Sequence, residues 1–329
     1  MTISSTDRKD MELIKGLVEK KAQLSVYHDL FSNERLTELF KKLKNCNYRV
    51  FMGQSDFDPT LVSTEEYIRQ NNYYGSIKND GRDLKICVIS DLHLGSKFDE
   101  PIYAEKVWDF CKQLGIKYVL NLGDIAEGSE YLSEGCKKQE EYKIEKTIES
   151  QVEYLNKYVP YDKEIMHLLL YGNHDVYSSD GVSIDPIRVL REQFNRNDIH
   201  VIGVEDAELP INNDFVHLFH HSFPDIIKPY VRKLEGAQEN EIIYAGHSHI
   251  SKSYTGHAYD LECIPTLSKV DHHLDGFEFF SGFVVITISF NNDLKMQNIF
   301  LQRYRFDSIY TKPSCFHSHD TAVRRLTKC

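Results

Sequence analysis

The chain has no apolar run near the roughly 20 residues that a membrane-crossing helix needs, so no helical membrane span is expected. It has no C-x-x-C pair: the seven cysteines (Cys46, Cys87, Cys111, Cys136, Cys263, Cys315, Cys329) are scattered and odd in number. That pattern argues against a disulfide framework or a thiolate metal site and predicts reduced thiols in a cytoplasmic protein. Met1 to Lys15 is polar and charged, unlike a secretory leader. A basic excess is also lacking. The net charge of −11 excludes a generally basic surface, so any contact with nucleic acid must come from a local patch. No internal repeat or low-complexity tract interrupts the 329 residues, a length that suggests one large domain with an appendage.

What the chain does carry is a set of five short motifs in fixed order: Asp91-Leu92-His93, Gly123-Asp124, Gly172-Asn173-His174-Asp175, His220-His221 and Gly246-His247-Ser248-His249. Each holds Asp, His or Asn, the oxygen and nitrogen donors that suit two adjacent divalent transition ions. Three follow apolar runs, Lys85–Ser90, Tyr118–Leu122 and Ile242–Ala245, which read as buried strands delivering ligands at their ends. A fourth run, Glu164–Tyr171, precedes the Gly-Asn-His-Asp motif.

This order of motifs resembles the calcineurin-like metallophosphoesterases, a family that includes purple acid phosphatases and DNA-repair nucleases. The resemblance runs from about Leu84 to about Phe306. It implies a layered α/β fold of two face-to-face sheets flanked by helices, with two metal ions at one edge. It further implies Asp124 as the carboxylate shared by both ions. Asp91, His93 and His249 would complete one shell; Asn173, His247 and one of His220 and His221 would complete the other, with His220 preferred. The nucleophile would be a metal-bridging water or hydroxide. His174 would protonate the leaving oxygen, and Asp175 could fix the His174 tautomer. Asp, His and Asn donors suit Mn²⁺, the favoured ion, and leave Fe, Zn²⁺ and Mg²⁺ open. Glu127 stands where many relatives carry Asp, which puts the outer arrangement of the site, and not its ligands, in question. Other histidines, among them His28, His167, His200, His217, His257, His272, His273, His317 and His319, read as surface, core or strand residues.

The remaining chain divides into residues 1–83, 84–311 and a polar tail, 312–329. Apolar spacing predicts one helix from Met11 (Leu13, Ile14, Leu17, Val18) and another from Ser32 or Asn33 (Leu36, Leu39, Phe40, Leu43), then a strand at Tyr48–Phe51. This is compatible with a small helical or winged-helix-like unit followed by a linker, 53–83. Ten Lys/Arg against nine Asp/Glu in residues 1–60 give that unit no basic excess for DNA. Within the catalytic region the pattern predicts helices at Tyr103–Leu114 and Lys137–Val159. Two strands, Phe279–Phe290 and Leu294–Phe306, should be joined by an Asn291-Asn292-Asp293 turn. The expected substrate is a phosphoester, with a DNA-directed nuclease or phosphodiesterase favoured. Tyrosines such as Tyr73, Tyr74, Tyr171, Tyr177 and Tyr230 could stack on bases. Small phosphomonoesters or nucleotides are the alternative, and a non-catalytic binding protein the second. No membrane partner is expected, and a homo-oligomer is left open.

Overall fold

The structure is a computed structural model of the full chain. It describes residues 4–44, 46, 48, 50–52, 61–63, 76–80, 82–128, 143–145, 147–175, 177–179, 182–220, 241–255, 259–269, 280–307, 310–314 and 323–325. The sequence expectations that concern Tyr73, Tyr74, His221, Tyr230, His257, His272, His273, His317 and His319 lie outside the described residues.

The catalytic region is built on strands whose two faces are both apolar. In β3 (Leu84–Ile89), Leu84, Ile86 and Val88 point to one side and Cys87 and Ile89 to the other. Such a strand must be covered on both faces. On one face lie three helices: α4 (Pro101–Leu114), α5 (Ile148–Tyr158) and α6 (Pro186–Phe194). Ala104, Val107, Trp108 and Cys111 of α4 follow the 3–4 spacing of a single stripe, and all are buried. Pro101 opens this helix, and Gly115, with φ of 65°, closes it. The other face of β3 packs on further strands, making a second layer.

The remaining strands are β4 (Tyr118–Asn121), β5 (Met166–Tyr171), β6 (Tyr177–Ser179), β7 (Val182–Ile184), β8 (Ile199–Val204), β9 (Asp206–Ile211), β10 (Asp214–Phe219) and β11 (Glu241–Ala245). They continue with β12 (Lys252–Thr255), β13 (Tyr259–Cys263), β14 (Gly282–Phe290), β15 (Met296–Asp307), β16 (Tyr310–Ser314) and β17 (Val323–Arg325). Apart from β6 and β7, these strands and β3 follow the hydrogen-bonded order β12-β13-β11-β10-β9-β8-β5-β4-β3-β14-β15-β16, with β17 also on β15. The path turns at β8–β9, where a single pair, Val204 with Asp206, joins the halves around Glu205 at φ 64°. Leu168, Leu170 and Val88 from one half then share a core with Leu209, Leu218 and Tyr244 from the other. The result is helices on sheet on sheet, the layered α/β arrangement the motifs imply.

The hairpin β14–β15 forms around Asn291–Asp293 as expected, and β14 pairs antiparallel with β3, the strand that carries the first motif. Two expectations change. The helix expected from Lys137 begins only at Ile148, because the Thr147 side chain accepts the Ser150 N–H and caps it. Before the cap, the Lys143 N–H is taken by the Gly95 carbonyl, and Ile144 packs where a Gly95 side chain would lie; residues 137–142 are outside the described set. The segment read as a polar tail contributes β16 and β17 to the sheet edge.

At the N-terminus, α1 (Ser5–Glu19) is opened by a reciprocal cap between Ser4 and Asp7. Met11, Ile14 and Val18 are buried, whereas Leu13, expected on the same face, is 47 % exposed. The short α2 (Leu24–Leu30), which gave little periodic signal, and α3 (Asn33–Lys44) follow, with the Ser32 hydroxyl accepting the Arg35 N–H. Strands β1 (Val50–Met52) and β2 (Leu61–Ser63) form a hairpin, so the segment read as linker carries a strand. β1 also pairs with β7, giving a second sheet of order β2-β1-β7-β6. Phe51 and Val62 are fully buried in the same core as α4 to α6, while Val50 and Leu61 of the same two strands pack with α1 to α3.

Candidate functional site

Five loops meet at the C-terminal ends of β3, β4, β5, β10 and β11, the end of a parallel sheet at which ligands bind. The chain stitches them together beyond the strands themselves. Asp91 N–H donates to Gly123 C=O, His93 N–H to Asp124 C=O and Leu94 N–H to Ile125 C=O, each at 2.9 Å. Gly246 N–H donates to Phe219 C=O and His220 N–H to Glu205 C=O in the same way. The loops interleave so closely that two glycines have no room for a side chain. A Cβ on Gly123 would stand 2.4 Å from His220 Nδ1, and one on Gly172 would stand 2.3 Å from Asp124 Oδ1.

The backbone here is held in costly conformations. Asp91, His93, Asp124, His247 and His249 all have φ between 47° and 71°. At about 1–2 kcal/mol each, the five left-handed residues cost on the order of 5–10 kcal/mol. That is comparable with the net stability of a whole domain, so the surrounding sheet must enforce the arrangement.

The side chains converge in two groups. In the first, Asp91 Oδ1, buried, lies 3.4 Å from His249 Nε2 and 3.9 Å from His93 Nε2. His93 Nε2 and His249 Nε2 face each other at 3.2 Å. In the second, His220 Nε2 is 2.9 Å from Asp124 Oδ2, and both His220 Nε2 and His247 Nδ1 face Asn173 Oδ1, at 3.0 and 2.9 Å. Asp124 Oδ2 is also 3.8 Å from His93 Nε2, so this carboxylate lies between the groups. Asp91, His93 and His249, and separately Asp124, His220 and His247, offer atoms all within 4.8 Å of one another, a spacing that fits metal ligation. Two imidazole nitrogens aimed at each other beside a buried carboxylate oxygen, once deprotonated, are joint donors to a cation. The residues present fit two divalent ions.

Electrostatics reinforce the pairing. Burial pushes the His220 imidazolium down, but the Asp124 and Asp91 charges and the hydrogen bonds to Asp124 and to the Leu122 carbonyl hold it up at about 10. His93 is likewise penalised by burial and carried to about 9 by Glu127, Asp124 and Asp91. Burial raises the Asp124 carboxyl, yet His220, His174 and His93 hold it well below its usual range. Burial and the neighbouring His220 hold His247 down.

Outside the two groups, the structure reassigns one residue and adds two. Asp175 does not orient His174. Its carboxylate accepts the backbone N–H groups of Asp124 (2.7 Å), Ala126 (2.9 Å) and Gly172 (2.8 Å), tying the second motif loop to the third. Adjacency in sequence to His174 concealed this, because the side chain turns back into the loop. Burial and the Asp124 charge raise the Asp175 carboxyl to about 7. His174 instead has Nδ1 3.1 Å from the Glu127 carbonyl. Glu127, buried, brings its carboxylate to 2.8 Å from His93 Nδ1 and 3.7 Å from His174 Nδ1. It thus holds a candidate ligand by its outer nitrogen, and its departure from the usual Asp was the only sequence signal of it. Thr266 donates its hydroxyl to the Asp91 carbonyl, 175 positions away in the chain, a contact no motif announced. His217 is a β10 strand residue.

Residues 84–277 match the calcineurin-like phosphoesterase family, more than half of the chain. Among solved structures, the chain is similar to vacuolar protein sorting 29 from Cryptosporidium parvum (14% identity, 75% of this chain and 99% of that one, TM-score 0.40). It is also similar to the phosphoesterase YfcE from E. coli (17% identity, 66% and 98%, TM-score 0.36) and to an archaeal phosphodiesterase (12% identity, 66% and 99%, TM-score 0.37). No curated protein matches. Motif order, the meeting of those motifs at one sheet edge and the family match agree, and the chain belongs to the calcineurin-like phosphoesterases, metal-dependent hydrolases of phosphate esters.

Proposed function

We propose that this chain hydrolyses phosphodiesters at a two-metal centre, with Asp91, His93 and His249 holding one ion, Asn173, His220 and His247 the other, and Asp124 both. The observation that carries the reading is the paired convergence of these side chains around the Asp124 carboxylate. When bound, two such ions supply an activated water and neutralise phosphate oxygens. The chain itself supplies the rest. Asn173 contributes a neutral oxygen, which keeps the centre electrophilic. His174, with Nδ1 3.1 Å from the Glu127 carbonyl, donates a proton to the leaving oxygen. Glu127 fixes the His93 ring, and Asp175 fixes the loops that carry Asp124 and Asn173. Mn²⁺ is the ion we assign, on the Asp, His and Asn donor set.

For the substrate we favour a small phosphodiester. A DNA-directed reading is supported by the order α1-α2-α3-β1-β2, three helices and a hairpin, in a winged-helix-like unit joined to the catalytic region. Against it, Arg35 and Lys42 of that unit are engaged by its own acids. Arg35 contacts Asp7 (2.8 Å), Asp10 (2.6 Å) and Glu38 (2.9 Å), and Lys42 contacts Asp7 (2.9 Å) and Glu38. Phosphate contacts by these two residues would have to break these pairs. Parallel assays in Mn²⁺ buffer on bis-p-nitrophenyl phosphate and labelled single-stranded DNA decide between the two. Turnover of the small diester alone is expected. DNA cleavage lost in Asp124→Asn would restore the nuclease reading, and inactivity on both substrates would refute the proposal.

A further inference from the structure

At the opposite ends of the strands that carry the catalytic loops lies a cavity of about 380 Å³. It is separated from the metal centre by the length of β5, roughly 20 Å for six residues. Its walls are the entry to β4 with Lys117, the α5–β5 loop with Tyr161, Lys163 and Glu164, and the α6–β8 loop with Asn197, beside His200 at the start of β8. The volume suits a small ligand.

The charges around this cavity sort into those already spent and those left over. Buried Asp198 is held by Arg196 through two hydrogen bonds of 2.8 Å, and Arg196 also donates to the carbonyls of Val159 and Pro160. Asp162 is taken by Lys112 at 3.0 Å. Lys117, Lys163 and Glu164 have no ion-pair partner among the described residues. In a chain of net charge −11, a mouth whose two lysines meet only Glu164 and the Lys112-bound Asp162 is a local exception. Tyr161 is 60 % exposed, yet the fixed Arg196 guanidinium lies 5.4 Å from its ring centroid and holds it as a flat shelf.

We propose that this cavity is a non-catalytic site for a ligand of the mononucleotide class. The base stacks on Tyr161, the phosphate lies between Lys117 and Lys163, and Glu164 accepts an N–H from the base edge. The inference is independent of the phosphoesterase chemistry at the other end of the sheet.

The test is calorimetric titration of the full-length Asp124→Asn chain with AMP, adenosine and inorganic phosphate. Tyr161→Ala and the double variant Lys117→Glu/Lys163→Glu are titrated in the same background. AMP should bind more tightly than either fragment. Tyr161→Ala should weaken AMP by on the order of tenfold, and the charge reversal should weaken AMP and phosphate but leave adenosine nearly unchanged. In the otherwise native chain, both variants should hydrolyse bis-p-nitrophenyl phosphate as the parent does, which also shows that they fold. No AMP binding at millimolar concentration would overturn the proposal. So would AMP binding that both variants leave unchanged, which would place the ligand in the metal centre instead.

Discussion

Metal loading of this site must displace protons, and the structure says roughly how many. Without metal, His93 and His220 are held as imidazolium up to about 9 and about 10 by the carboxylates around them. A histidine raised in this way gains stability from its partners below its ordinary value and loses it only as pH rises through the raised value. At pH 7 both rings therefore carry a proton that a metal must remove. With 1.36 kcal/mol per unit, the cost is roughly 3 kcal/mol for His93 and roughly 4 kcal/mol for His220. Together they weaken loading of the two-ion centre by about 10⁵ relative to the fully deprotonated centre; each ion's affinity should climb about tenfold per pH unit between pH 6 and 8, and the product for both ions about a hundredfold. Calorimetry with Mn²⁺ at pH 7, in buffers of differing ionisation enthalpy, counts the protons directly. Two or more per filled site are expected. Release of fewer than one, or an affinity flat across this range, would refute the argument.

Other changes separate the roles of individual side chains. His174→Ala should retain both ions and lose about 10²–10⁴-fold in kcat, measured by metal analysis beside turnover; loss of metal would make His174 a ligand. Glu127→Ala should weaken metal binding by about 10–100-fold, with Glu127→Gln recovering part of it, since an amide oxygen still accepts from His93 Nδ1. Equal affinities in the parent and both variants would leave that contact without a role. Gly172→Ala drives a methyl into Asp124 Oδ1 and should abolish metal binding or lower Tm by several degrees; an unperturbed variant would contradict the interleaved loops.

Most of the site was legible because it is written in short motifs at the ends of apolar strands. Asp91 and His93 follow β3, Asp124 follows β4, and His247 and His249 follow β11, so local pattern alone places them on one sheet edge. What could not be read was the direction in which a side chain turns once the backbone leaves the strand. Asp175 sits beside His174 in sequence but reaches back to three N–H groups, and Glu127 serves two histidines that are 34 and 47 positions away. The fold followed the same rule. Helix α4 and the β14–β15 hairpin carry their stop signals in Gly115 and in the Asn291–Asp293 turn, and both were evident. The start of α5 was misplaced because Thr147, one polar residue inside a continuous charged pattern, sets it. β2 and α2 are too short to show a period, and they exist because Val62, Leu61 and Tyr27 find buried neighbours elsewhere in the chain.

The central claim is that one carboxylate, Asp124, holds two ions, and the most direct test counts them. Metal analysis of the purified chain equilibrated with micromolar Mn²⁺ should give two ions in the parent. Asp124→Asn should keep at most one, with hydrolysis of bis-p-nitrophenyl phosphate lost. A parent chain that binds no ion, or an Asp124→Asn chain that keeps both ions and full turnover, would contradict the account.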